Sequence, residues 1–165
     1  MATGLGGHGS VIRVTASNNL LGAAISRGQI VALIGTGVRT DGIGDPWLIC
    51  ALDAASQLKA ASLGIAQQDM AAGTAAEYGG SGHIVVYGLT HVRAGNATMD
   101  ANDGIIGEIT TGDVIGPCAL ADVDAGEGCG ILLEDAVAIG DLLLAFVNFI
   151  DRANAGSSTF GGAEV

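Results

Sequence analysis

Three histidines and three cysteines are the residues of this chain that could bind a metal ion. They are His8, His83, His91, Cys50, Cys118 and Cys129. Structural zinc sites usually contain a closely spaced pair such as Cys-x2-Cys, and the sequence has none. His83 and His91 share one side of a predicted strand, but about 26 Å of extended chain separates them at about 3.3 Å per residue. We therefore expect no zinc site, and the odd number of cysteines favours reduced thiols over a disulfide framework.

Acidic turns offer a second possible ion site. Residues 100–104 (DANDG) are similar to the start of a calcium loop, which requires glycine at its sixth position and a bidentate glutamate at its twelfth. Here Gly104 is the fifth residue and Thr111 the twelfth. The run that begins at Asp122 fails in the same way, since Glu127 takes the glycine position. We expect solvated turns, with calcium bound between subunits as the alternative.

The usual sequence signals of covalent catalysis and of phosphate binding are also missing. There is no Gly-x-Ser-x-Gly nucleophile elbow, and no residue near Cys118 in the sequence would favour a reactive thiolate. Gly35-Thr36-Gly37 is not followed by the Gly-Lys pair of a phosphate-binding loop. We predict no catalytic residue, no cofactor and no bound metal.

The C-terminal sequence leaves one enzymatic alternative open. Residues 156–162 (GSSTFGG) loosely resemble the Gly/Ser-rich, Phe-containing C-terminal arm of trimeric dUTP pyrophosphatases, which closes over the nucleotide. The catalytic aspartate motif and the Arg-Ser-Gly phosphate contact of that family are not found. A trimeric β-fold nucleotide hydrolase is therefore the alternative to a protein without enzymatic activity. A magnesium-dependent dUTP hydrolysis assay separates the two.

Composition and charge exclude several partners. The formal net charge is −11, with six basic and 17 acidic residues, and Lys59 is the single lysine. Such a chain repels nucleic-acid phosphates and anionic membrane surfaces. The most apolar stretch, residues 142–150, is far shorter than the roughly 20 residues of a membrane-spanning helix. No secretory signal pattern is visible, so we expect a soluble protein made in the cytoplasm.

Short aliphatic runs bounded by glycine and aspartate recur along the chain and predict strands. The clearest case is residues 130–149, where two aliphatic runs flank an acidic connector. The other predicted strands are residues 29–34, 47–52, 64–67, 82–92, 108–111 and 113–115. Residues 53–62 are the best helix candidate, with Asp53 as a possible N-cap.

These elements predict a mainly β fold. We expect a small domain similar to a β-barrel or sandwich at residues 26–150, with one or two short helices. An extended N-terminal arm (residues 1–25) and a C-terminal tail (residues 151–165) flank this domain. With 49% hydrophobic but only 4% aromatic residues, the core must be built mainly from Val, Ile, Leu and Ala.

One sequence pattern occurs twice. Gly64-Ile65 precedes Asp69, Ala72 and Gly73, and Gly130-Ile131 precedes Asp135, Ala138 and Gly140 at similar spacing. A strand is predicted after each copy. The match indicates either an internal duplication or the repeated use of one turn-and-strand device.

Several predicted strands are apolar on both faces, which a single sheet in water would not be. In residues 82–92 one face carries Ile84 and Val86 and the other carries Val85, Tyr87 and Leu89. The second face must therefore contact another layer, close a barrel or contact another subunit. We expect part of it to be a subunit interface. The candidate interface residues are Val11, Ile12, Val14, Trp47, Val85, Tyr87, Leu89, Phe146 and Phe149.

The order and texture of these segments resemble a known family. The segments that carry the resemblance are GQIVAL (28–33), LGIA (63–66) with DMAAG (69–73), GHIVVYGLTHV (82–92), IGEITTGDVI (106–115) and GILLEDAVAIGDLLLAFV (130–147). Over residues 26–149 the chain resembles the head decoration, or capsid cement, proteins of tailed bacteriophages. The N-terminal segment and the tail depart from that pattern.

The resemblance implies a structural protein of the virion. The members of the head decoration family are small, acidic, mainly β proteins. They form homotrimers on the outer capsid surface and bridge neighbouring major capsid proteins. The partners implied are other copies of the chain and the major capsid protein, without nucleic acid or membrane. A host-surface or glycan-binding module is a further alternative, which the scarcity of aromatic residues disfavours.

Overall fold

The computed structural model describes residues 11–36, 47–51, 62–107, 111–116 and 128–150. These residues form nine β-strands and, within the described ranges, no helix. The strands are β1 (Ile12–Asn18), β2 (Ile30–Thr36), β3 (Trp47–Ala51), β4 (Ser62–Ala66), β5 (Ser81–Arg93), β6 (Gly104–Gly107), β7 (Val114–Ile115), β8 (Gly128–Leu132) and β9 (Leu142–Asn148). None of the described residues belongs to a helix long and apolar enough to cross a bilayer.

The first five strands close into a barrel. Their order is β1-β3-β2-β4-β5, and β5 returns to β1 through antiparallel pairs from Ile12–Tyr87 to Ser17–Ser81. Closure removes the sheet edges at which unpaired backbone groups would otherwise be exposed. The aliphatic interior is Ala16, Ile25, Val31, Ile49, Ala51, Ala66, Met70, Ile84 and Val86. A closed barrel is one of the three arrangements predicted for strands that are apolar on both faces.

β5 is 13 residues long and continues beyond this barrel into a second group of strands. Its second half pairs with β9, which is followed across the sheet by β8, β6 and β7. A parallel bridge between Ala94 and Val114 then brings β7 back to the end of β5, where Gly95 N donates to Val114 O over 2.6 Å. We call this group the second barrel. β5 passes into it at Gly88, whose φ of +109° lies in the region that favours glycine.

The two barrels repeat one topology. The first has the order β1-β3-β2-β4-β5, and the second has β5-β7-β6-β8-β9, so β5 ends one unit and begins the next. The register also repeats, because a shift falls between Val31 and Ala32 in one barrel and between Ile105 and Ile106 in the other. The pattern found twice in the sequence is therefore part of a structural repeat that extends far beyond one turn and strand.

Equivalent carboxylates secure the repeat after β4 and β8. Asp69 Oδ1 accepts a hydrogen bond from Arg27 N at 2.8 Å, and Asp135 Oδ1 accepts one from Ala101 N at 2.7 Å. Each carboxylate satisfies a backbone donor that would otherwise depend on water. This role explains why an aspartate recurs at the same place in both copies of the sequence pattern.

We expect Asp135→Ala to lower the free energy of unfolding by about 1 kcal/mol, because an exposed but charge-assisted hydrogen bond is lost. Urea denaturation followed by circular dichroism measures this change. Glu77→Ala removes another exposed carboxylate, for which the structure gives no side-chain hydrogen bond, and serves as the control. An equal effect in both variants would rule out a specific role for the Asp135 side chain.

The mainly β prediction is confirmed, and the predicted strands in the described ranges form strands with small changes of boundary. One boundary needs correction. Ile12–Asn18, which fell within the predicted arm, is a strand of the first barrel because it fills the gap between β3 and β5. The predicted helix lies outside the described residues except for Ser62, which begins β4. Residues 108–110 of the predicted strand 108–111 and the predicted tail also lie outside them.

Candidate interaction surface

The outer side of the second barrel carries a row of apolar side chains across three strands. Leu89 of β5 lies opposite Phe146 of β9, which in turn lies opposite Ile131 of β8. Residues paired in this way project to the same side of a sheet. Ile12 pairs with Tyr87, and Leu144 pairs with His91, on the same side. We define the outer sheet face as Ile12, Tyr87, Leu89, Ile131, Leu144 and Phe146.

This face is exposed although it is apolar. Ile12 and Leu89 are each 44% exposed and Ile131 is 41% exposed, while the other three are partly buried. The rings of Tyr87 and Phe146 meet edge to face, with centroids 5.2 Å apart, a favourable geometry that holds both side chains in place. None of the six is acidic, in a chain with 17 acidic residues. We therefore take this exposed apolar face as the candidate interaction surface of the chain.

The structure brings four of the predicted interface residues together on this face. They are Ile12, Tyr87, Leu89 and Phe146. Val85 and Phe149 are buried in the core, so the prediction of an interface role for them is corrected. The reason is that the outer side of the first barrel at Val85 is covered within the chain itself.

The remaining three predicted residues are only partly buried. Val11 packs beside the core of the second barrel, and Val14 and Trp47 pack beside the interior of the first barrel. Sequence reasoning missed Ile131 and Leu144, because both belong to runs that look buried on two faces. Nothing in the sequence distinguishes them from Leu132 and Leu143, which are equally aliphatic and which the structure buries.

A network of polar contacts joins the two barrels. Gln29 Nε2 donates to Asp113 Oδ1 at 3.1 Å, and Arg93 Nε lies 3.3 Å from the same oxygen. Gln67 Nε2 donates to Thr90 Oγ1 at 2.8 Å. Together with the shared strand, these contacts fix the direction in which the second barrel lies on the first.

A second apolar feature is the loop between β8 and β9. Val137 is 87% exposed and Ile139 is 69% exposed. The backbone of this loop is nevertheless anchored, since Asp141 Oδ2 accepts hydrogen bonds from Val137 N and Ala138 N at 3.1 and 2.7 Å. Gly140 N also donates to Ala94 O at 2.7 Å. The loop therefore presents two aliphatic side chains on an ordered support.

The residues considered as metal ligands do not come together in the part of the chain that the structure describes. Within those ranges, no three His, Cys, Asp or Glu side chains are close enough to share an ion. Cys129 is buried in the second barrel, where its Sγ donates to Ile105 O at 3.2 Å. His8 and Cys118 lie outside the described residues.

Comparison with known proteins gives a fold likeness. No protein-family model and no curated protein matches the chain. A crystal structure of the N base of head fiber gp8.5 from bacteriophage phi29 is similar, with a TM-score of 0.53 and 16% sequence identity. The match covers 85% of this chain and 96% of that chain. This chain and the phage head fiber base therefore share a fold over most of their lengths.

Proposed function

We propose that this chain is a structural, non-enzymatic protein of a bacteriophage head. The observation that carries the proposal is the shared fold with the phi29 head fiber base, which extends over 96% of that chain and 85% of this one. The resemblance of residues 26–149 to head decoration proteins supports the same role independently. The proposal includes no substrate turnover.

In its finer form, the proposal is that the chain is a decoration, or cement, protein on the outer surface of the virion. It associates as a homotrimer and binds the major capsid protein. Two separate apolar features support this: the outer sheet face and the loop that carries Val137 and Ile139. Such a protein needs one surface for other copies and another for the shell. The high net negative charge keeps the remaining surface solvated.

The test is binding to heads purified from the phage that encodes the chain, after any native copies have been removed. We expect the purified protein to sediment with these heads and to saturate at a fixed number of copies per head. Cryo-electron microscopy should then show added density on the outer surface.

A protein that never joins the heads, at any concentration up to solubility, would contradict the proposed role. So would turnover of dUTP with magnesium, which would favour the nucleotide hydrolase. A particle-sized control, such as heads of an unrelated phage, distinguishes specific attachment from non-specific adsorption.

A further inference from the structure

Within one chain, the outer wall of the first barrel covers one open end of the second barrel. We call this end of a barrel its mouth. Ile30, Ile65 and Val85 lie opposite one another across β2, β4 and β5. Their chain neighbours point into the first barrel, so these three side chains point outward. All three are fully buried, in one cluster with the interior residues of the second barrel. The wall formed by Ile30, Ile65 and Val85 is thus covered by the second barrel.

The repeat places an equivalent wall on the second barrel. By register, Ile65 corresponds to Ile131 and Val85 to Phe146, which are likewise paired with each other. This wall is part of the outer sheet face. Ile65 is 0% exposed whereas Ile131 is 41% exposed, because among the residues that the structure describes no further barrel covers the second wall. One wall is covered and its counterpart is open.

The repeat also places an equivalent mouth on the first barrel. At the mouth of the second barrel, Thr90 meets Gln67, and Gly112 O accepts a hydrogen bond from Ile30 N at 2.7 Å. By the register of β1 with β5 and of β3 with β2, Thr90 corresponds to Val14 and Gly112 to Trp47. Both are only partly buried. The first barrel therefore presents a partly exposed apolar mouth of the kind that a wall covers elsewhere in the chain.

We infer that the wall of the second barrel in one copy packs against the mouth of the first barrel in another copy. This inference rests on the self-association included in the proposed function and assigns the surfaces that carry it. The contact between two copies then has the same form as the contact between the two barrels of one copy: a wall packs against a mouth. A second copy is the occupant because its first barrel carries the structural equivalent of the mouth that contacts a wall within each chain.

One pair of side chains at this junction changes in both members between the covered contact and the inferred contact. Gln67 and Thr90 form a polar pair within the chain, and their counterparts are Leu133 and Val14. Both members change together from polar to apolar, so they remain complementary. Neither the wall residues nor Val14 and Trp47 are acidic, which spares two copies of a −11 chain from direct repulsion at the contact.

A contact of one surface with a different surface is heterologous: it forms a ring when the rotation between copies closes and an open filament when it does not. A three-membered ring satisfies the homotrimer of the proposed function. In such a ring each copy uses its wall once and its mouth once. A face that paired with itself would give a dimer instead.

Two complementary variants test this arrangement by light scattering after size exclusion. Ile131→Asp places a charge on the wall. Leu48→Asp places one at the mouth. By register Leu48 corresponds to Asp113 and Asp103 corresponds to Gln29, which contacts Asp113 within the chain. The new carboxylate therefore faces Asp103 of the neighbouring copy. Each variant alone should lose self-association by at least about tenfold in apparent dissociation constant. An equimolar mixture should give a dimer of twice the 16.2 kDa chain mass, because one intact wall and one intact mouth remain.

Leu21→Asp is the matched control, since Leu21 is 75% exposed and lies outside both surfaces. It should keep the mass of the wild type. A mixture of I131D and L48D that stays monomeric, or either variant keeping the wild-type mass, would overturn the inference. A wild-type protein that is monomeric at all concentrations would also overturn it, while the head-binding assay would still decide the proposed role.

A cross-linking experiment does not depend on how well L48D folds. Leu133→Cys in one preparation and Val14→Cys in another should be joined into a mixed dimer by a short bismaleimide cross-linker, because the inferred contact brings these positions near each other. Leu21→Cys mixed with Val14→Cys is the control. Equal cross-linking of both mixtures would contradict the assigned surfaces.

Discussion

Replacing Ile65 with alanine should lower the free energy of unfolding by about 2–5 kcal/mol, the range for truncating a fully buried isoleucine. Ile65 is 0% exposed and lies between Ile30 and Val85 where the two barrels meet. Its side chain packs in the cluster that includes the interior of the second barrel. Truncation leaves a cavity at a place that a closed barrel and a shared strand prevent from collapsing.

The same substitution at Ile131 should cost less than about 1 kcal/mol in the isolated chain, because the side chain is 41% exposed and loses fewer contacts. Ile131 is therefore a matched control of the same residue type at the equivalent position of the repeat. Urea denaturation measured at a concentration where the chain is monomeric gives both values. Similar losses at the two positions would mean that the outer wall of the second barrel is packed as tightly as that of the first.

The contrast between these two isoleucines also shows what the sequence could predict. Each lies in a Gly-Ile pair that begins a matching pattern, for which the sequence left open an internal duplication or one repeated turn-and-strand device. The sequence could not show that β5 is shared between two barrels. Only this sharing buries the wall at Ile65 and leaves the wall at Ile131 open.

The exposure of the candidate interface residues was predictable to the extent that they lie on a long strand with alternating faces. Tyr87 and Leu89 fall on the exposed face of β5, as its alternation indicates. Val85 has the same parity but is buried, because the second barrel folds back over this part of the strand. Strand parity gives the side on which a residue lies, and the tertiary arrangement decides whether that side is covered.

The strand β1, which lies within the predicted N-terminal arm, is the other feature that the sequence did not reveal. Residues 11–18 alternate weakly and carry the polar residues Arg13, Thr15, Ser17 and Asn18. Ser17 and Asn18 are nevertheless buried, and Asn18 Nδ2 donates to Ala23 O and Ala71 O at 2.7 and 3.0 Å. One hydrogen bond to nearby backbone and one to backbone 53 residues away thus hold the end of a segment that composition alone assigns to an arm.

The second large effect is expected at Gly64, where valine should abolish cooperative folding or cost more than about 4 kcal/mol. A Cβ atom at this position would overlap the backbone carbonyl oxygen of Val85 and lie 2.6 Å from Ile84 Cγ2. β4 and β5 are bound to each other through the closed barrel, so the backbone of β5 has little freedom to move away. Gly130 repeats this arrangement against Phe146 O, with Val147 Cα at 3.0 Å.

Thermal unfolding followed by circular dichroism measures this effect, with Leu63→Val as the control in the neighbouring position of the same strand. Leu63 is partly exposed, and its replacement by a β-branched residue should cost less than about 1.5 kcal/mol. Gly130→Val should match Gly64→Val in severity, because a close approach between strands of one barrel does not depend on whether its outer wall is covered. A stable, cooperatively unfolding Gly64→Val variant would show that β4 and β5 separate more easily than the register of the barrel allows.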